Sequence, residues 1–458
     1  MKKEYISGKY NPFELNAIWF DSNVLKELIP ESLECVSPFS FYIKSIALLV
    51  KYILQTLLRT SVILWFQGVN RWRSYDKKVV FVIPTNNNQK AVKTVLSELG
   101  RGGKQVEIID AGVSYQFFPM ITISLFSFLY LLWLTNEYRL RDDFVKRIML
   151  FNLSSFVFSP GVTRFYKKAL LRYRPECVVL ANDHMYYCKC LELVCEEYGI
   201  RTIYVQHASV SYAFPELHFT YSFLDGIDSF RKYTGNGKKN YGCAILLGAL
   251  RYDALSSYRV NRDDHIRDCI GVAINDIDDN AIVNDFCNKI LERYPNKTLR
   301  VRSHPALKNK PFVFDKKDRI IYKCATDESI VDYLDRIDIQ LSGDSGVHFD
   351  AIIGGVASIG FNFSVGRYED NYGYVKNGLI QFAETTDEVY RLLDLKNQKI
   401  QMDLINYYDA SYGKSYAGSC SRILSEFIVH NYDLKYLVTT YGLEKYFEGG
   451  NVSYIFPR

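Results

Sequence analysis

The sequence predicts an α/β protein with two Rossmann-like domains facing a cleft and with added apolar and amphipathic helices at its N-terminal end. Three observations predict it. Short runs of branched apolar residues alternate with helical patterns in two separate series, as in parallel sheets built from βαβ units. The 458 residues exceed one ordinary core. Polar residues crowd several strand ends, above all in "VRSHPALKNK" and "LSGDSGVHFDAIIGG", where open parallel sheets bind ligands.

The first series runs from strand "KKVVFVIPT" through a helix over Ala91 to Leu99 to strand "QVEIID". After apolar helices come a helix near Thr163 to Arg174, strand "CVVLAND", a helix over Met185 to Tyr198 and strand "RTIYVQHAS". The second series follows "CAILLGALRYDAL". It comprises strand "DCIGVAIND", helix Asp279 to Tyr294, strands "TLRVRSHP" and "RIIYKCAT", helix Glu328 to Asp335, strand "IQLSG", helix Val347 to Ile353 and strand "VASIGF". The expected division is therefore 1–76 as an N-terminal helical region, 77–250 as a first Rossmann-like domain, 251–440 as a second and 441–458 as a tail.

Charged residues at 23% and hydrophobic ones at 48% are ordinary, whereas 36 Tyr and 29 Phe are many. The net charge of +5 is spread along the chain; it gives no nucleic-acid footprint and suits a nucleotide or an anionic lipid surface. Ten cysteines are scattered without paired CxxC or zinc-ligand spacing, so no metal site is expected and a reducing, intracellular setting is. The start "MKKEYISGKYNPFELN" lacks the apolar core of a signal peptide.

In "SPFSFYIKSIALLVKYILQTLLRTSVILWFQGVNRWRSY", Lys44, Lys51, Gln55 and Arg59 share one helix face among Ile, Leu, Val and Phe. That is the pattern of a helix in a membrane interface, with cations toward lipid phosphates. The uncharged stretch Phe117 to Leu134 is near the length of a span, yet it follows a Rossmann-like strand and helix, which favours a buried or interfacial helix. The expected location is peripheral, at a membrane surface.

The strand ends carry the candidate chemistry. Arg302 and His304 can donate to phosphate oxygens. Ser342, Ser345, Gly343 and Gly346 offer hydroxyls and backbone N–H groups ahead of a helix. Arg302, His304, Ser342, Asp344, Ser345 and Gly346 form the expected nucleotide site, although the Asp344 and Asp350 carboxylates repel phosphate and suit capping or holding a hydroxyl. On the other side His207, after "TIYV", and Asp183 with His184, after "CVVLA", would face the same cleft. His207 is the expected general base; if the base is a carboxylate, Asp183 and Glu216 are the candidates. His218, His265 and His430 read as structural.

"VQHASV", "GALRYD", "VRSHP" and "SGDSGVHFD" resemble segments of the GT-B-fold transferases that build bacterial surface polysaccharides, namely the capsule sialyl- and Kdo-transferase-like proteins and the teichoic-acid glycerophosphate transferases. His207-Ala208 stands where the latter carry His-Gly, and Asp344, Ser345, Phe349 and Asp350 match their "DYSSxxFD"-like segment. His304-Pro305 with Ser342 or Ser345 matches the cytidine-holding elements of the former. The resemblance covers about Val79 to Phe427. It implies a metal-independent glycosyltransferase without a separate cofactor, moving a sugar, such as a sialic-acid- or Kdo-like acid, from a CMP- or CDP-activated donor to a glycan or lipid-linked acceptor. The chain departs from the pattern at Ala208 and in lacking an acidic-acidic-glycine motif.

Three alternatives stay open. They are a CDP-polyol phosphotransferase of teichoic-acid type, a nucleotide-sugar 2-epimerase, and a membrane scaffold whose nucleotide site has decayed. The epimerases share a His-Pro strand end and a "DSGG"-like loop, but "FNFSVGRYEDNYGYV" lacks their arginine- and glutamate-rich segment.

Overall fold

The computed structural model describes residues 32–59, 76–110, 120–212, 214–235, 237–238, 240–261, 266–395, 402–448 and 451–457. The chain divides into two compact units. One takes the stretch up to Leu224 together with Asp228–Leu247 and Ser421–Arg458; the other takes Asp225–Ile227 and Gly248–Cys420.

In the first unit the strands are β1 (Val79–Ile83), β2 (Val106–Asp110), β3 (Cys177–Leu180), β4 (Arg201–Val205), β5 (Tyr221–Leu224) and β6 (Cys243–Leu246). The second unit holds β7 (Cys269–Ile274), β8 (Thr298–Ser303), β9 (Ile320–Cys324), β10 (Ile339–Ser342), β11 (Ala357–Phe361) and β12 (Gln381–Ala383). The hairpin β13 (Leu443–Glu448) and β14 (Asn451–Pro457) returns to the first unit. The sheet orders are β13-β14-β6-β5-β4-β3-β1-β2 and β12-β11-β10-β7-β8-β9. All pairs are parallel except β13 with β14. Central strands such as "CVVL" and "CIGVAI" are buried at every position, which is why they read as unbroken apolar runs.

The second sheet, counted from its first strand, has the order 3-2-1-4-5-6 of a dinucleotide-binding Rossmann fold, and its strand order reverses between β7 and β10. The first sheet begins 2-1-3-4-5 and reverses between β1 and β3. Two apolar clusters cover the faces of the second sheet, one with Val283, Phe286 and Ile290, the other with Tyr333, Phe349 and Tyr408. Gly271 on β7 lets the second cluster close, because a Cβ there would lie 2.5 Å from the Tyr333 hydroxyl and from Ile337.

The expected boundaries need correction. Residues 441–458 are no tail: β14 joins the edge strand β6, with Tyr454 opposite Ala244 and Ile455 opposite Ile245, and so covers an otherwise open edge. The helix Pro38–Arg59 is no separate region either, since it packs on helices Met120–Phe128 and Leu131–Leu140 of the first unit. Those two helices divide the apolar stretch read as 117–134 and meet at 60°. Phe117 to Pro119, His265, and the continuation of the first apolar segment over 60–75 lie outside the described residues.

Candidate functional site

The second unit builds its polar strand ends around His348, which is fully buried on the helix Val347–Ile353. A carbonyl only accepts, so Nε2 of His348 carries the proton, donating to the Gly343 carbonyl at 2.8 Å, and Nδ1 accepts from the Ser358 hydroxyl at 2.7 Å. Burial pushes the ring's pKa down to about 4, against the pull of the Gly343 and Ser342 carbonyls. The loop after β10 is thus pinned by a neutral imidazole. The loop after β7 closes beside it: the Asp278 carboxylate accepts from the Asn275 amide at 2.7 Å, and a Cβ on Gly343 would come within 3.1 Å of the Asp278 carboxyl. Burial raises the Asp278 pKa to about 6. Asn275 donates its side-chain amide to the Asp344 carbonyl at 3.3 Å.

The expected donor residues divide into framework and surface. Ser342 is buried and donates to the Ala273 carbonyl on β7 at 2.9 Å. Arg302 donates to the Glu328 carbonyl at 2.7 Å, and its guanidinium lies 5.5 Å over the Tyr333 ring. Strand alternation sends it along the sheet face and not past the strand end. Asp344 accepts from the Asn371 amide at 2.9 Å and side chain at 2.7 Å, which ties the aromatic loop 362–378 to the β10 loop. His304, Ser345 and Gly346 keep solvent-facing surface. His304 accepts the Ala306 amide on Nδ1 at 3.3 Å, so in the neutral ring Nε2 is the proton-bearing nitrogen.

The first unit places an ionised acid at its own reversal point. Asp183, fully buried after β3, accepts from His184 Nδ1 at 2.9 Å and from the Tyr233 hydroxyl at 2.7 Å. Tyr233 spends its proton on Asp183, so the Tyr204 hydroxyl donates to it at 2.9 Å. Burial pushes the Asp183 carboxyl up, but His184, Tyr233 and the nearby His207 together hold it below the ordinary aspartate value. His184 has a side chain 21% exposed. With Nδ1 engaged, its Nε2 is the accepting atom of the neutral ring, 3.5 Å from the Asn182 side-chain nitrogen. Asn182 accepts the amides of His184 at 3.2 Å and Met185 at 2.8 Å, which fixes the turn. Asn88 on the helix after β1 donates to the Ala181 carbonyl at 2.5 Å and joins the two loops at the reversal.

His207, after β4, sets its ring 6.1 Å from that of His184 at a tilt of 37°, so the structure brings Asp183, His184 and His207 together. Glu216 belongs to a second cluster. Its carboxylate lies 3.5 Å from His218, and its carbonyl accepts from Lys189, which pairs at 2.9 Å with the buried Glu192. Sequence reasoning missed His348, Asp278 and Tyr233. His348 lies inside the quoted "SGDSGVHFD", and Asp278 follows the polar end of "VAIND", so both had a local signal; Tyr233, fifty residues from Asp183, had none.

No family model and no curated protein matches the chain. Among solved structures, one from Listeria monocytogenes described as a UDP-N-acetylglucosamine 2-epimerase aligns with TM-score 0.50 at 13% identity, over 78% of this chain and 97% of that one. The UDP-GlcNAc 2-epimerase of Methanocaldococcus jannaschii gives TM-score 0.48 at 13% identity over 77% and 99%. The wall teichoic acid polymerase TagF gives 0.47 at 12% over 85% and 97%. At these identities the likeness is one of fold. The chain has a GT-B-like α/β fold of two Rossmann-like units.

Proposed function

We propose that the chain is a nucleotide-sugar-dependent glycosyltransferase of bacterial surface-polysaccharide synthesis, working at a membrane surface on a glycan or lipid-linked acceptor. The observation that carries this is the β7–β10 reversal point of the second unit. There the loop of Gly343 to Gly346 is held in advance by the neutral His348 and by the Asn275 side chain, and His304 at the neighbouring strand end presents an N–H. Fixed backbone donors and one imidazole suit the phosphates of an activated donor, and their cost of ordering is met on folding. The cytidine base rests on the resemblance of His304-Pro305 and Ser345 to cytidine-holding motifs.

In the first unit His184 is the better general base than His207, because Asp183 orients it and stabilises the imidazolium formed when Nε2 takes the acceptor hydroxyl's proton. The acceptor oxygen then bonds to the sugar, and the nucleotide leaves with the electron pair of the broken bond. Asp183 acts as a positioning residue.

The test is a thermal-shift screen of the full chain against CMP-, CDP-, UDP- and GDP-activated donors, followed by turnover with added acceptor glycan. A ligand at a hundred times its dissociation constant raises stability by roughly 2.7 kcal/mol. One cytidine donor is expected to stand out and to turn over only with acceptor. Stabilisation by no donor overturns the proposal, and acceptor-independent conversion of UDP-GlcNAc replaces it with an epimerase.

A further inference from the structure

Helix Pro38–Arg59 and its neighbours are apolar on both their inward and their outward faces. The face of this helix that meets the protein carries Phe41, Ser45, Leu49 and Thr56, all buried. The opposite face carries Phe39, Ile43, Val50, Leu54, Leu57 and Leu58, of which Leu58 is 86% exposed. Helix Met120–Phe128 repeats the arrangement, with Ser124 and Ser127 buried and Leu125 exposed. Its partner, helix Leu153–Arg172, approaches so closely that a Cβ on Gly161 would lie 2.2 Å from the Ile123 carbonyl. Small residues at the close contacts between helices and leucines on the outer face suit helices that meet lipid; water favours polar residues outside.

Cations flank this surface. Lys44 and Lys51, seven residues apart on one side of the helix, rise about 10 Å along it. With Leu48, Leu150 and Leu153 they line a cavity of about 380 Å³. Glu34 is its one carboxylate, so the two ammonium groups leave it net positive. Arg164 and Lys168 lie 5.1 and 4.8 Å over the Phe126 ring, beside the exposed Leu125 and Leu129.

Helix Pro38–Arg59 is by itself long and apolar enough to cross a membrane, but the helices it packs on are not suited to accompany it across. The helices of the bent pair Met120–Phe128 and Leu131–Leu140, at 9 and 10 residues, each cover about 15 Å, half a hydrocarbon core. The second of them carries Glu137 and Arg139, and helix Leu153–Arg172, packed on the first, carries Arg164 and Lys167. We infer that the outward apolar face of Pro38–Arg59, continued by Leu125, Leu129 and Leu132, docks flat into one leaflet, and that the Lys44–Lys51 cavity receives the phosphate of an anionic lipid headgroup. This deepens the membrane reading above but is independent of the donor chemistry.

The experiment is flotation of the full chain with vesicles of phosphatidylcholine alone or mixed with phosphatidylglycerol, at low and high salt. Binding is expected to favour the mixed vesicles and to weaken with salt. L54Q/L58Q/L132Q, all at exposed positions, should lose binding to both vesicle types. K44Q/K51Q should lose about 30-fold on mixed vesicles only, from about fivefold per lysine near an anionic surface. Unchanged flotation of the leucine variant overturns the docking face, and an unchanged lysine variant overturns the phosphate cavity. A dimer in light scattering that the leucine variant dissociates assigns the face to self-association and also overturns the proposal. Donor thermal shifts of both variants should equal wild type, so failure here is separable from failure of the transferase reading.

Discussion

Near the point where its strand order reverses, each sheet buries a titratable side chain, and the two stand in opposite states. In the second unit the buried group is His348, neutral, with both nitrogens spent on a carbonyl and a hydroxyl; what it presents to solvent is backbone. In the first unit the buried group is Asp183, ionised, with one oxygen taken by Tyr233 and the other by His184; what it presents is a titratable ring. Holding phosphate needs fixed dipoles and no proton movement, whereas accepting a proton needs a base whose charged form is stabilised.

Asp183→Asn should lower kcat by roughly a hundred- to ten-thousandfold, because the imidazolium loses its counter-charge and the ring its tautomer. Donor affinity should stay unchanged in titration calorimetry. A variant that loses donor affinity and turnover together would show that Asp183 serves donor binding or the fold.

Asp409 sharpens the contrast. It is fully buried like Asp183, but Ser411 serves only its Oδ1, at 2.9 Å from the amide and 2.7 Å from the hydroxyl, and Oδ2 has no hydrogen-bond partner among the described residues. Burial therefore pushes its pKa up to about 7. The native state keeps a proton that the unfolded chain releases, so this group's contribution is fully present below about pH 4 and is lost as pH rises through 7. Asp409→Asn should flatten that decline and raise neutral-pH stability by at most roughly 4 kcal/mol. Urea unfolding at pH 5 and pH 8 checks it; a variant with the wild-type slope refutes it.

His348 has the opposite sign. Its native pKa of about 4 lies below the ordinary 6.5, so the unfolded chain binds the extra proton, and stability is lost as pH falls from about 6.5 to 4. The full span is worth roughly 3 kcal/mol. His348→Gln should remove this acid limb and weaken nucleotide binding while leaving the Asp183 network intact. Persistence of the limb in the variant would place its origin elsewhere.

Much of this was legible in the sequence. Alternation located most strands, because central strands such as β7 are buried on both faces and read as apolar runs. The strand ends at His304, Gly343 and Asp183 were found for the same reason, since polar residues there interrupt such runs. Side-chain direction was less legible. Ser342 and Arg302 lie within their strands, where period two points them along the sheet. Short pairings such as β12, three residues long, carry too little pattern. The hairpin over 443–457 did carry one, alternation about Gly449-Gly450, but its partner β6 lies two hundred residues away. The outward face of helix Pro38–Arg59 could not be fixed from periodicity, since nearly every position other than its few polar ones is apolar and only packing decides which side meets protein.

Calorimetric titration of wild type and His304→Ala with the donor found by screening tests whether the second unit's reversal point holds the donor phosphates. His304 is exposed, so the variant should fold normally. Loss of one hydrogen bond to a charged group, worth about 1.5 to 3 kcal/mol, predicts donor affinity weaker by roughly ten- to a hundredfold. Wild-type affinity in a folded His304→Ala protein would contradict the account.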